Sequence, residues 1–111
     1  YSNERGEIPV MTLAPRVEEL VSNSLLQTEA GVQLVMDPRQ AQGILTQISK
    51  TIEQHPEIAG QPILLTSPTA RRHLFKLTHR FLPHVIVLSH NEISSDAQIQ
   101  AVGLVETGHA G

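Results

Sequence analysis

The sequence predicts an α/β fold: a single small domain with a mixed, mostly parallel sheet of four or five strands packed with three helices. Three observations carry this. Short apolar, β-branched runs alternate with longer segments whose apolar residues recur at helical spacing. The alternation is densest at 63–88, where strand, helix and strand follow one another with short connections, the pattern of a βαβ unit with parallel strands. And 111 residues are enough for one hydrophobic core but not comfortably for two.

In chain order, residues 1–7 are polar and include Gly6, and read as a linker or arm. Ile8 to Leu13 is a first strand, with Pro9 suggesting a place at or near a sheet edge because proline donates no ladder hydrogen bond. Pro15 opens a helix to about Gln27, with Val17, Leu20, Val21, Ser24 and Leu25 on one stripe. Glu18 and Glu19 fall in its first turn, where the helix dipole favours negative charge. Thr28 to Gly31 is a break, and Val32 to Met36 is either a short strand or an extended connection.

Asp37-Pro38 is a strong helix start, aspartate as cap and proline as first helical residue. That helix runs to about Glu53, with Ala41, Ile44, Leu45, Ile48 and Ile52 inward, and His55-Pro56-Glu57 ends it. Ile63 to Thr66 is a strand buried on both faces. Ser67-Pro68 starts the third helix, whose apolar residues Ala70, Leu74, Leu77 and Phe81 are spaced for one face. Leu82-Pro83 stops it, and Val85 to Leu88 is the next buried strand. After a polar turn at Ser94-Ser95-Asp96, a last strand spans about Ile99 to Glu106, and residues 107–111 form a frayed tail. The two central strands are parallel; the first or last can be an antiparallel edge.

Composition narrows the chemistry. Apolar residues make up 40% and aromatics 3%, so the core is aliphatic, with Phe75 and Phe81 as minor fillers. With no cysteine, disulfides, thiolate metal sites and a cysteine nucleophile are excluded. No apolar run approaches the ~20 residues that span a bilayer, so this piece reads as soluble. Net charge is −3 from eight basic and eleven acidic residues, unevenly spread. Arg71, Arg72, Lys76 and Arg80 lie in one acid-free segment, leaving four basic against eleven acidic residues elsewhere. One positive helix sits on an acidic body.

Several motifs in fixed order are shared with one family. The chain reads PILLTSP, then ARRHLFKLTHRFLP, then VIVLSHNEI across residues 62–93, preceded by IPVMTLAP at 8–15 and followed by QAVGLVE at 100–106. This resembles the C-terminal signature of the FlhA-type flagellar export-gate proteins (the FHIPEP family) and, more distantly, their virulence type III secretion counterparts. Two departures stand out: His90 where the family usually has tyrosine, and Ala14 where it has an aspartate cap, whose loss costs on the order of 1 kcal/mol. The resemblance implies that residues 8–106 are the C-terminal subdomain of a larger export-gate cytoplasmic region at the cytoplasmic face of the bacterial inner membrane. Membrane spans would lie upstream of Tyr1. It also implies a nonameric ring of copies, docking of export chaperone–substrate complexes, contact with the stalk protein of the export ATPase, no catalysis and no cofactor.

Candidate sites follow from charge and position. Arg71, Arg72, Lys76 and Arg80 form a partner-binding face, because clustered cations steer and orient acidic partners. The plainer reading is a solvated helix face paired to the domain's own acids. Nucleic acid is disfavoured by the acidic body and the scarcity of aromatics for base stacking. Ser67, Pro68, Asn91, Glu92 and Ile93 form supporting turns. Thr66-Ser67-Pro68 with Arg71 suggests a phosphate cradle, but lacks the glycines such loops use.

His73 and His79 are six apart, unlike a zinc-binding i, i+4 pair, and His84 and His90 have no carboxylates at ligand spacing, so no metal site is expected. The alternative to a binding module is a small ligand-binding or enzymatic domain with its site at the strand ends near Ser67 and His90. Ser89 and His90, adjacent on a strand, point to opposite faces and cannot readily pair as nucleophile and base. A buried His90 would make its contact pH-sensitive.

Overall fold

The computed structural model describes residues 7–93 and 98–106. Its element order is β1 (Glu7–Leu13), α1 (Pro15–Asn23), β2 (Leu25–Thr28), β3 (Gly31–Leu34), α2 (Pro38–Gln54), α3 (Pro56–Ala59), β4 (Ile63–Thr66), α4 (Pro68–Phe81), β5 (Ile86–Ser89), a 3-10 turn at His90–Glu92, and β6 (Gln98–Val105). The expected arm, apart from Glu7, the polar turn at Ser94-Ser95-Asp96 and the tail at 107–111 lie outside the described residues. Glu7, expected in the arm, is the first residue of β1.

β5, β4, β1 and β6 form one sheet in that order, and every pairing in it is parallel. The expected βαβ unit is present: Ile63↔Ile86 through Thr66↔Ser89 pair in register with α4 between them. Two expectations are corrected. β6 is an edge strand but parallel to β1, and β1 lies inside the sheet rather than at its edge. Pro9 is tolerated there because β4 reaches only Met11 and Thr12, so at Pro9 the strand is paired on one side, to Gln100 of β6.

Side-chain alternation divides the core in two. Met11, Leu13, Leu64, Val87 and Val105 meet Val17 and Val21 of α1, Ile44 and Ile48 of α2, Ile58 of α3, and Ala70 and Leu74 of α4. Val10, Ile63 and Leu65 form a separate cluster with Ile8, Ile86, Leu88 and Ile93, to which no helix of the described residues contributes. The helices therefore share one face of the sheet. All four residues of β4 are buried, as expected of a strand covered on both sides.

Where the sequence predicts one long helix to about Gln27, the chain turns back at Ser24. Its N–H donates to the carbonyls of Leu20 and Val21, and its Oγ donates to Leu20 O at 2.7 Å. Leu25 to Thr28 then pairs antiparallel with Gly31 to Leu34 as a two-stranded ribbon. Gly31 supplies the positive φ, +106°, that this hairpin requires. His55-Pro56 does end α2, but Pro56 also begins the one-turn helix α3, so the described residues form four α-helices rather than three. Ala14 forms no side-chain cap on α1; its methyl is instead buried in the core, and its N–H donates to Val105 O.

The aromatic filler expectation is also corrected. Phe75 and Phe81 are 41% and 58% exposed, because the buried stripe of α4 runs through Ala70, Leu74 and Thr78. Thr78 is accommodated by donating its hydroxyl to Leu74 O at 2.9 Å. On α2, the buried set is Ile44, Leu45, Ile48 and Thr51, with Ala41 and Ile52 half-buried. Thr51 faces β6 at Gly103, where a β-bulge shifts the register between Val10 and Met11.

Candidate functional site

Helix α4 is built as its sequence demands. Ser67 Oγ accepts the Ala70 N–H at 3.3 Å and Pro68 occupies the first turn. Two further donors at this end meet Glu18 of α1, whose Oε1 accepts the Ser67 N–H at 3.1 Å and the Thr66 hydroxyl at 3.3 Å. A carboxylate from the protein itself thus occupies the place suggested for a phosphate, where helix-end N–H groups favour negative charge. At the other end, His79 and Arg80 lie in the last turn, where the dipole favours cations.

Arg71 does not stand free. Its Nε forms an ion pair with Glu92, and the same Glu92 oxygen accepts the Ser89 N–H at 3.2 Å and the Ser89 hydroxyl at 3.0 Å. Ser89 and Glu92 make a capping box, legible as Ser-x-x-Glu, that shapes the turn after β5 and ties it to α4. Asn91 is exposed in that turn, and Ile93 packs half-buried on the second core cluster. Of the four predicted cations, Arg72, Lys76 and Arg80 are exposed to solvent.

Lys76 and Arg80 line an open cleft of about 330 Å³ between α4 and the hairpin. Val32, Gln33 and Leu34 of β3 form one wall; His73, Lys76, Leu77, Arg80 and Phe81 form the other. His73 is held below the ordinary histidine pKa, first by burial and then by the Lys76 and Arg72 charges. On the outer side of α4, Phe75 and His79 stack with ring centroids 5.1 Å apart. His73 and His79 therefore occupy different sides of the helix, as their spacing predicts. A second groove of about 390 Å³ runs between α2 and the end of α4, lined in part by Leu45, Lys50, Phe81 and Leu82.

The alternative strand-end site gains no geometry from the fold. Thr66 and Ser89 are paired, so Ser67 and His90 both follow the carboxyl ends of adjacent strands. Yet Ser67 Oγ caps α4, Ser89 Oγ is held by Glu92, and His90 is exposed. Among the described residues no group of three or more His, Asp or Glu is placed to hold a metal.

Two contributors are only partly legible in the sequence. Glu18 is legible as a first-turn acid of α1, but it lies 48 positions before Thr66 and nothing local signals that contact. The hairpin is half legible: the break at Thr28 to Gly31 and a short strand from Val32 are among the sequence expectations, but its first strand, Leu25 to Thr28, is hidden by the helical stripe that runs on to Leu25.

A parallel sheet with its helices on one face, and a cationic helix beside a ribbon-walled cleft, define a small α/β module with one distinctive surface. The chain belongs to the FHIPEP family, whose sequence profile matches residues 1–98. It is 31% identical over 106 residues to the flagellar biosynthesis protein FlhA of Bacillus subtilis, covering 96% of this chain but 16% of that protein. Among solved structures, the Chlamydia pneumoniae CdsV protein in its complex with CdsO superposes with a TM-score of 0.80 at 34% identity, over 95% of this chain and 31% of that one. The nonameric SctV-C assembly from EPEC superposes with a TM-score of 0.79 at 25% identity, over 95% of this chain and 31% of that one. The chain thus spans about one sixth of its curated relative and under a third of each solved relative. Among the described residues no helix is long and apolar enough to cross a membrane.

Proposed function

We propose that this chain is a protein-binding and assembly module of the flagellar type III export gate. It docks export chaperone–substrate complexes, the stalk protein of the export ATPase, or both, and supports a cytoplasmic ring made of copies of itself. In this reading the protein reaches the inner membrane through spans upstream of Tyr1, and the module works by being contacted rather than by turning over a substrate.

The observation that carries the reading is the exposed basic face of Arg72, Lys76 and Arg80 on a domain whose relative was solved in complex with CdsO and whose other relative is nonameric. Clustered cations on an otherwise acidic surface orient an acidic partner and raise its rate of encounter. Ser67 and Pro68 start that helix, and Arg71 ties its first turn to Glu92 in the turn that Asn91 and Ile93 share.

The test is binding of purified stalk protein and of chaperone–cargo complexes to the wild-type chain and to an Arg72→Glu/Lys76→Glu variant, at low and high salt. The variant should bind more weakly, with a shallower salt dependence, and unfold at nearly the wild-type temperature. Equal binding by both proteins would end the electrostatic docking role, and loss of folding would make the pair structural.

A further inference from the structure

The cleft between α4 and β3 does more than extend a charged surface. His73, Lys76, Leu77, Arg80 and Phe81 stand three, four, seven and eight positions along α4, so they form a single stripe about 12 Å long on one side of the trough. Val32 and Leu34 of the hairpin face them across it. Phe81 and Val32 remain 58% and 48% exposed, a large apolar area on a module with few aromatics. Among the described residues, the charged side chains lining the cleft are Lys76 and Arg80, both cationic and one helical turn apart. Apolar floor and basic lip run in parallel.

We propose that this cleft is a helix-binding groove, and that its occupant is an acidic amphipathic helix from a partner protein. The occupant lays two or three aliphatic side chains between Phe81, Leu77 and Val32 and sets two carboxylates, one turn apart, against Lys76 and Arg80. Along the α4 wall the backbone N–H groups are satisfied within the helix, and only the carbonyls of its last turn lack an intrahelical partner. Recognition there runs through side chains, as in other helix-in-groove contacts. This inference rests on the docking role proposed above and specifies its partner chemistry and its anchor.

The test uses the 111-residue chain and three synthetic 16-residue peptides. Each carries leucines at i, i+3/i+4 and i+7 flanked by glutamates, in one of three registers, and is read by fluorescence anisotropy against a scrambled peptide of the same composition. At least one register should bind more tightly than the scramble. Phe81→Ala and Val32→Ser, both at exposed positions, should each weaken binding about tenfold, as expected for loss of one buried apolar anchor. Phe75→Ala, outside the cleft, should leave it within about twofold. A proline in the middle of the peptide should abolish binding.

Four results overturn the proposal. If no register exceeds the scramble, the groove takes no such helix. If Lys76→Glu/Arg80→Glu abolishes peptide binding while Phe81→Ala and Val32→Ser leave it unchanged, the surface is electrostatic only, and the docking role survives without the groove. If the chain self-associates in sedimentation and Phe81→Ala abolishes that, or if the proline peptide binds unimpaired, the occupant is a second copy or an extended segment. Loss of stalk and chaperone binding by none of these variants would instead count against the docking role.

Discussion

Gly103 is where a single methyl group should do the most damage. A Cβ built on it would sit 2.3 Å from Thr51 Cγ2 and 3.3 Å from the His55 ring. The first distance is more than 1 Å short of the about 3.5–4.0 Å of an ordinary carbon–carbon contact. Thr51 cannot swing aside easily: it is 5% exposed, β-branched, and donates its hydroxyl to Gln47 O at 2.7 Å. Gly103→Ala must therefore push α2 off β6, an overpacking cost of about 1–3 kcal/mol. For a domain of this size that lowers Tm by roughly 4–8 °C per kcal/mol.

The second half of the test is rescue. Thr51→Ser deletes the offending Cγ2 and keeps the Oγ–Gln47 hydrogen bond, so Gly103→Ala/Thr51→Ser should recover much of the loss. A double-mutant cycle by urea denaturation measures that coupling, expected at about 1 kcal/mol or more. Gly103→Ala within about 0.5 kcal/mol of wild type, or a cycle with no coupling, would mean that α2 does not approach β6 through this contact.

Other perturbations test the clasps at the strand ends. Glu18→Ala strands the Ser67 N–H and the buried Thr66 hydroxyl, and should cost about 1–2 kcal/mol by chemical denaturation; a neutral effect would mean that water replaces the carboxylate without loss. Glu92→Ala removes the capping contact and the half-exposed Arg71 pair, whose share is about 0–1 kcal/mol, so its loss should exceed that of Arg71→Ala. Gly31→Ala forces a side chain into φ +106° and should destabilise the hairpin by about 1 kcal/mol or more, visible as faster amide exchange in β2 and β3.

The His73 titration followed by NMR should have its midpoint below 6.5, and Lys76→Gln should raise it only partly, because burial is the larger cause. Since the folded pKa is lowered, His73's contribution holds above pH 6.5 and is lost as pH falls through that value toward the folded pKa. A His73→Gln variant should show a flatter acid limb.

The amino-acid sequence by itself determined what depends on neighbours a few residues away. Asp37-Pro38 and Ser67-Pro68 start helices because cap and proline chemistry act within one turn, and β4 is a strand covered on both sides because four consecutive apolar or β-branched residues suit nothing else between a glycine and a proline break. The alternation of short β-branched runs with helically spaced segments made the α/β class and the βαβ core readable, and the Ser89-Glu92 box lies in a Ser-x-x-Glu spacing.

Tertiary structure alone decided which strands are neighbours, that β1 lies inside the sheet, and that the helices share one face, since strand order is set by long-range packing that leaves no local trace. It also decided that Leu25 leaves the helix stripe to pair with Leu34, where cross-strand bonding outweighed periodicity. The cleft needs that hairpin beside α4, and Glu18 needs Ser67 brought to it across 49 positions. Such contacts exist only once the backbone has closed, because their stabilisation comes from groups that the unfolded chain holds far apart.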